Sequence, residues 1–174
     1  MESKKNIVFL GMMGSGKTSI GQLVSKKLNL QFYDIDQIIE KELEMSISLI
    51  FERKGEEFFR EFEEKITLKI LKKKWIVISL GGGAFINKKI RKEILKNHLS
   101  FWLKWNSKTL IQRIKNNIKR PIALKSSTSD LVSLIKKRSI VYSESKYKIN
   151  CEQLSKNEIV NKIIDIYENE EINS

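Results

Sequence analysis

Gly11-Met12-Met13-Gly14-Ser15-Gly16-Lys17-Thr18 stands between an apolar run, Asn6 to Leu10, and an amphipathic segment that continues to Leu28. Glycines at this spacing let successive backbone N–H groups turn inward toward phosphate oxygens, and a helix that follows presents the positive end of its dipole to the same anion. In the pattern G-x-x-x-x-G-K-S/T the lysine reaches the β- and γ-phosphates of ATP and the hydroxyl ligates Mg²⁺. Lys17 and Thr18 occupy those two positions, and Gly14, Ser15, Gly16 and Ser19 complete the candidate nucleotide-binding set.

Outward from this loop, strand-like and helix-like runs alternate, which is the pattern of an α/β fold built on a parallel sheet. The spacing predicts strands at Asn6–Leu10, Leu30–Tyr33, Trp75–Leu80, Leu99–Leu103 and Lys148–Cys151. It predicts helices at Ile35–Leu43, Ile47–Arg53, Glu56–Lys73, Lys88–Lys96, Thr109–Asn116 and Asp130–Tyr142, and a last one introduced by the capping pair Ser155 and Glu158. The expected architecture is one domain over 1–174, a five-stranded parallel sheet with helices on both faces. A polar segment at about 117–129, holding the only proline, is expected to form a mobile lid. Ligands of such sheets bind beyond the carboxyl ends of the strands, where the unusual residues of this chain cluster.

Six of the eight glycines fall in two clusters, each after a predicted strand. The second cluster, Gly81-Gly82-Gly83, is costly in backbone entropy as a mere turn and points instead to close approach of the backbone to a ligand. Asp34 and Asp36 follow the second strand; one carboxylate there suits metal organisation or helix capping, the other suits a hydroxyl acceptor. Arginine is the rare cation: six of 33 basic residues, namely Arg53, Arg60, Arg91, Arg113, Arg120 and Arg138. Lysine suffices for solubility, so a position that holds arginine is a candidate for bidentate recognition. Arg60 has Glu63 three residues ahead on the same helical face. Arg120-Pro121 lies in the lid segment, where a cation neutralises charge on a transferring phosphoryl group. His98 is expected on the surface, and Trp75, Trp102 and Trp105 are expected to serve packing; Arg53 and Arg91 have no recognisable context.

Composition bounds the function. With 174 residues, 41% hydrophobic and 31% charged, the chain is of a size and make-up to fold around its own core. A single cysteine, Cys151, excludes a disulfide framework within the chain and suits a reducing, cytoplasmic setting. No run approaches the roughly 20 apolar residues of a membrane span. The net charge of +12 raises nucleic-acid binding, but the lysines are dispersed and no aromatic-basic stretch accompanies them. They read as a solvated surface, with no nucleic-acid or membrane partner and a monomeric state expected.

Taken together, these motifs resemble the shikimate kinase family. The resemblance runs through Gly11–Thr18, Tyr33-Asp34-Ile35-Asp36, Gly55-Glu56 with Phe59-Arg60 and Glu63, Ser79–Gly83 with Ala84, Arg120-Pro121, and Arg138 with Tyr142. It implies a P-loop kinase fold and transfer of the γ-phosphoryl group of ATP to the 3-hydroxyl of shikimate with Mg²⁺. By resemblance, the catalytic residues are Lys17, Asp36 and Arg120, and Asp34 joins Thr18 at the metal. Arg60 and Arg138 clamp the substrate carboxylate, Glu63 orients Arg60, and Gly81, Gly82 and Gly83 line the pocket. Arg113 lies against the adenine. Ser79 stands where many P-loop enzymes carry an acid, and Ile140 and Lys146 replace a proline and an alanine usual in the family. A gluconate or nucleoside monophosphate kinase remains the alternative among enzymes, and a non-catalytic, nucleic-acid-linked P-loop module the alternative outside them.

Overall fold

The computed structural model describes residues 5–116 and 126–172. Five strands, β1 (Ile7–Leu10), β2 (Gln31–Asp34), β3 (Ile76–Ser79), β4 (Leu99–Lys104) and β5 (Tyr147–Asn150), form one sheet in the order β2-β3-β1-β4-β5. Every neighbouring pair is parallel. The helices are α1 (Lys17–Leu28), α2 (Ile35–Leu43), α3 (Ile47–Leu71), α4 (Lys88–Asn97), α5 (Ser107–Lys115), α6 (Thr128–Tyr142) and α7 (Lys156–Ile172), with a 3₁₀ turn at Ala84–Ile86.

A parallel sheet buried on both faces needs strands that are apolar at every position, because successive side chains point to opposite faces. In β1, Ile7 and Phe9 enter the layer under α1 and α7, while Val8 and Leu10 enter the layer under α2 to α6. Strand β3 divides the same way, with Val77 on the first face and Ile76 and Ile78 on the second. The buried Asn6 ties the layers together below the sheet. Its Nδ2 donates to Lys73 O at 2.7 Å and its Oδ1 accepts from Ile76 N at 3.2 Å, which fixes the turn between α3 and β3.

The strand order decides where the loops meet. Pairing sets Phe9 and Asp34 opposite Ser79 on either side of β3. The three segments that leave β1, β2 and β3 therefore emerge side by side at one edge of the sheet.

The expected α/β sheet is present, with differences of detail. The helices predicted at Ile47–Arg53 and Glu56–Lys73 are one element interrupted at Gly55, whose φ of 84° and ψ of 169° are non-helical. A positive φ there is what glycine supplies and other residues adopt at a cost. Of the segment read as a lid, residues 117–125, including Arg120 and Pro121, lie outside the described residues, and Thr128 and Ser129 already belong to α6. Trp75 is not a packing residue: it is 56% exposed, at a positive φ of 58°, in the turn before β3. His98 is not on the surface either. It caps the end of α4, 9% exposed, and neither ring nitrogen has a hydrogen-bond partner.

Burial lowers the pKa of His98 below the ordinary 6.5, against a weaker opposing pull from Glu93. Folding therefore favours the neutral ring, so this residue's contribution is complete above pH 6.5 and is lost as pH falls toward the depressed folded value. We expect His98→Leu to flatten part of the acid limb of a plot of thermal midpoint against pH. Parallel limbs for the two proteins would show that the ring titrates unhindered in the fold.

Candidate active site

The loop after β1 is braced before any ligand arrives. Lys17 Nζ donates to Gly11 O and Met12 O, each at 2.9 Å, which folds the ammonium back into the cradle. From the far side, Trp105 Nε1 donates to Ser15 O at 2.9 Å. The Arg113 guanidinium lies 3.7 Å from the centre of the Trp105 ring, with Nη1 3.5 Å from Gly14 O. A cation over an indole face is held by the ring quadrupole, so the loop, the ring and the arginine position one another. Trp105, read from sequence as packing, is thus also a strut of the nucleotide loop. Ser19 Oγ donates to Gly16 O at 3.1 Å at the start of α1.

Asp34 caps the helix that follows it and also reaches the nucleotide loop. Its Oδ1 accepts from Gln37 N at 3.2 Å and caps α2, while its Oδ2 accepts from Thr18 Oγ1 at 2.6 Å. That second bond sets a hydroxyl and a carboxylate together at the mouth of the loop. Two hard oxygen donors fit Mg²⁺, which takes few protein ligands and completes its shell with phosphate oxygens and water. Among the described residues, no group of three or more His, Cys, Asp or Glu is gathered for a metal.

The triple-glycine turn after β3 packs directly on the polar residues of the second half of the site. A Cβ placed on Gly81 would stand 2.5 Å from Glu63 Oε1 and 2.6 Å from Asp36 Oδ1; one on Gly83 would stand 2.5 Å from Arg60 Nη1. One on Gly82 would stand 3.3 Å from Met13 N and 3.5 Å from Arg138 Nη1. The turn therefore lines a pocket with Asp36, Arg60, Glu63 and Arg138, and at Gly82 it meets the phosphate loop and Arg138 together; Arg138 Nη1 also lies 3.9 Å from Met12 Sδ of that loop.

Arg60 and Glu63 form the floor of that pocket. Arg60 Nη1 donates to Glu63 Oε2 at 2.7 Å, and its Nε lies 3.3 Å from Glu56 Oε1. Burial alone would lower the Arg60 pKa, but the two glutamates outweigh it and raise it above the ordinary arginine value, so the guanidinium stays charged. Glu63 is 2% exposed. Burial raises its pKa above the ordinary 4.5, Arg60 pulls it down, and the Asp36 carboxylate pushes it up. Its Oε1 has no hydrogen-bond partner.

Sequence reasoning missed how Tyr142 is used. Its hydroxyl donates to Gly82 O, and burial pushes its pKa up to about 12, so it remains a donor across the neutral range. Of the two departures from the family pattern, Ile140 is 73% exposed and Lys146 pairs with Glu170 at 2.5 Å. Arg120, expected over the phosphates, lies outside the described residues.

A family model for shikimate kinase matches residues 13–168. The chain belongs to the shikimate kinase family. Family membership makes it an ATP-dependent kinase that phosphorylates shikimate. The chain is 38% identical to a shikimate kinase of Thermodesulfovibrio yellowstonii over 94% of its own length and 95% of the relative's. It is 41% identical to one from Bacillus subtilis over 93% and 88%. Among solved structures, shikimate kinase from Acinetobacter baumannii in complex with shikimate superposes with a TM-score of 0.88 at 28% identity, covering 95% of this chain and 93% of that one. A gluconokinase from Sinorhizobium meliloti, at 15% identity and a TM-score of 0.60, shares the fold alone.

The pocket geometry of this kinase makes Gly83 a direct test. Its φ of −104° and ψ of −14° are open to alanine, and the atoms that a methyl group would meet belong to the movable end of Arg60. We expect Gly83→Ala to change stability by less than about 1 kcal/mol while raising KM for shikimate about tenfold through a displaced guanidinium. Steady-state rates paired with thermal unfolding check this; an unchanged KM for shikimate would contradict the packing described.

Proposed function

We propose that this kinase transfers the γ-phosphoryl group of ATP to the 3-hydroxyl of shikimate, on the route to aromatic amino acids, with Mg²⁺ as its metal. The observation that supports this assignment of roles is the glycine turn, which lies against Asp36, Glu63 and Arg60 and, at Gly82, against both Met13 N of the phosphate loop and Arg138.

On the nucleotide side, the loop amides of Gly14, Ser15, Gly16, Lys17, Thr18 and Ser19 cradle the phosphates. Lys17 exchanges the carbonyls of Gly11 and Met12 for phosphate oxygens, an exchange of like acceptors that keeps the ammonium satisfied throughout. Arg113, seated on Trp105, offers its outer face to the adenine. Thr18 and Asp34 hold Mg²⁺, which when bound neutralises charge on the β- and γ-phosphate oxygens. Arg120 adds a further cation from the segment 117–129.

On the acceptor side, Arg60 and Arg138 grip the carboxylate of shikimate, and Glu63 fixes the plane of the Arg60 guanidinium. Asp36, against Gly81, accepts a hydrogen bond from the acceptor hydroxyl and turns its oxygen toward the γ-phosphorus. The gain in rate comes from alignment and charge neutralisation rather than from covalent chemistry by the protein. Its place of work is the cytoplasm, a reducing setting that suits its one cysteine, held buried as a free thiol.

Two experiments test this. ADP release with shikimate, gluconate and nucleoside monophosphates as separate acceptors should show turnover with shikimate and depend on added Mg²⁺; preference for another acceptor would overturn the substrate assignment. Arg60→Lys should raise KM for shikimate on the order of tenfold or more and leave KM for ATP within about twofold, because an ammonium cannot make the bidentate contact. Equal losses for both substrates would remove Arg60 from the carboxylate grip.

A further inference from the structure

The acceptor pocket has two walls that are remote in sequence. One is the glycine turn with Arg60 behind it; the other is α6, which carries Arg138. Their separation sets whether two guanidiniums reach one carboxylate, so whatever fixes it governs acceptor binding. Tyr142 supplies one tie, to Gly82 O. A second tie runs through a residue to which neither motif nor family resemblance gave a role.

Arg91, on α4, turns Nη1 onto two carbonyl oxygens of the 3₁₀ turn that continues from Gly83, Phe85 O at 3.1 Å and Ile86 O at 3.0 Å. Its Nε pairs with Glu144 Oε2 at 3.0 Å, two residues beyond the end of α6. The Arg91 side chain is 16% exposed and that of Glu144 48%, so the guanidinium is seated while its carboxylate partner faces solvent. The turn it grips is anchored on its other side by Ala84 and Phe85, both fully buried. A guanidinium can serve two carbonyls and a carboxylate in one plane, which a single ammonium cannot.

We propose that Arg91 is a positioning residue for the acceptor carboxylate: with Glu144 it locks the segment just beyond α6 to the 3₁₀ turn that directly follows Gly81, Gly82 and Gly83, and so fixes the distance between Arg138 and Arg60. Arg91 itself touches no substrate. The inference rests on the carboxylate grip proposed above.

The test is steady-state kinetics of Arg91→Lys, Arg91→Ala and Glu144→Gln with both substrates varied. Arg91→Lys should raise KM for shikimate about tenfold and leave KM for ATP within about twofold. Glu144→Gln, which leaves the carbonyl contacts in place, should raise it about threefold, and the double variant Arg91→Lys/Glu144→Gln should be no worse than Arg91→Lys within about twofold, since Glu144 acts through Arg91. A general packing role would lower thermal stability and move both KM values together, and that result overturns the proposal. So does an Arg91→Lys enzyme with an unchanged KM for shikimate. Should Arg91→Ala fail to fold, the lysine and glutamine variants decide. A wild-type protein that shows no shikimate-dependent ADP release would instead overturn the substrate assignment.

Discussion

The second half of the site hangs on a charged pair held against bare backbone. Arg60 and Glu63 meet at 2.7 Å, and Gly81 and Gly83 approach them so closely that a single added carbon would fall within 2.5 Å of a polar atom of each. Removing two charges from water is expensive, and mutual attraction offsets that only where the geometry is good. Here the pair leaves Glu63 Oε1 without a partner and keeps the outer face of Arg60 available. The site thus retains binding capacity in the absence of substrate, and the glycines keep that capacity within reach of the phosphate loop.

The sheet makes this possible by its strand order. With β3 between β1 and β2, the phosphate loop, the glycine turn and the Asp34–Asp36 segment leave adjacent strands at the same edge. A parallel sheet covered on both faces leaves few places where polar groups can gather, and the carboxyl ends of the strands are the principal ones. Asp34 shows the economy of the arrangement. One oxygen ends the strand-to-helix turn as a cap and the other addresses Thr18, so the fold's own punctuation also ties the second strand to the nucleotide loop.

Local pattern made much of this legible. Gly11–Thr18 is contiguous, Asp34 and Asp36 are two apart, and Arg60 and Glu63 share a helical face, so each could be read within one turn or one loop. What stayed hidden depends on contacts without local pattern. Tyr142 reaches Gly82 across 60 residues, and Trp105 reaches Ser15 across 90. Both hydrogen bonds end on backbone oxygens, which carry no residue identity for a motif to record. His98 misled for a related reason: polar neighbours in sequence suggested exposure, while the packing of α4 beside β4 buries the ring. Trp75 erred the other way, since an apolar run hid a positive-φ turn at its first residue.

Arginine usage links composition to the site. In a chain whose solubility is supplied by lysine, the described arginines other than the exposed Arg53 each meet a fixed partner. Arg60 meets two glutamates, Arg91 two carbonyls and a glutamate, Arg113 an indole face, and Arg138 the Met12 sulfur. The first three sets of partners reward a planar, multi-donor cation over a point charge. Scarcity was therefore a signal for Arg91 as much as for Arg60, although only the latter sat in a recognisable motif. The dispersed lysines contribute instead to a positive surface, which favours the approach of two anionic substrates without holding either. The arginine contacts differ from that surface in kind, because their geometry, unlike net charge, is not screened away by salt at the distances of a seated hydrogen bond.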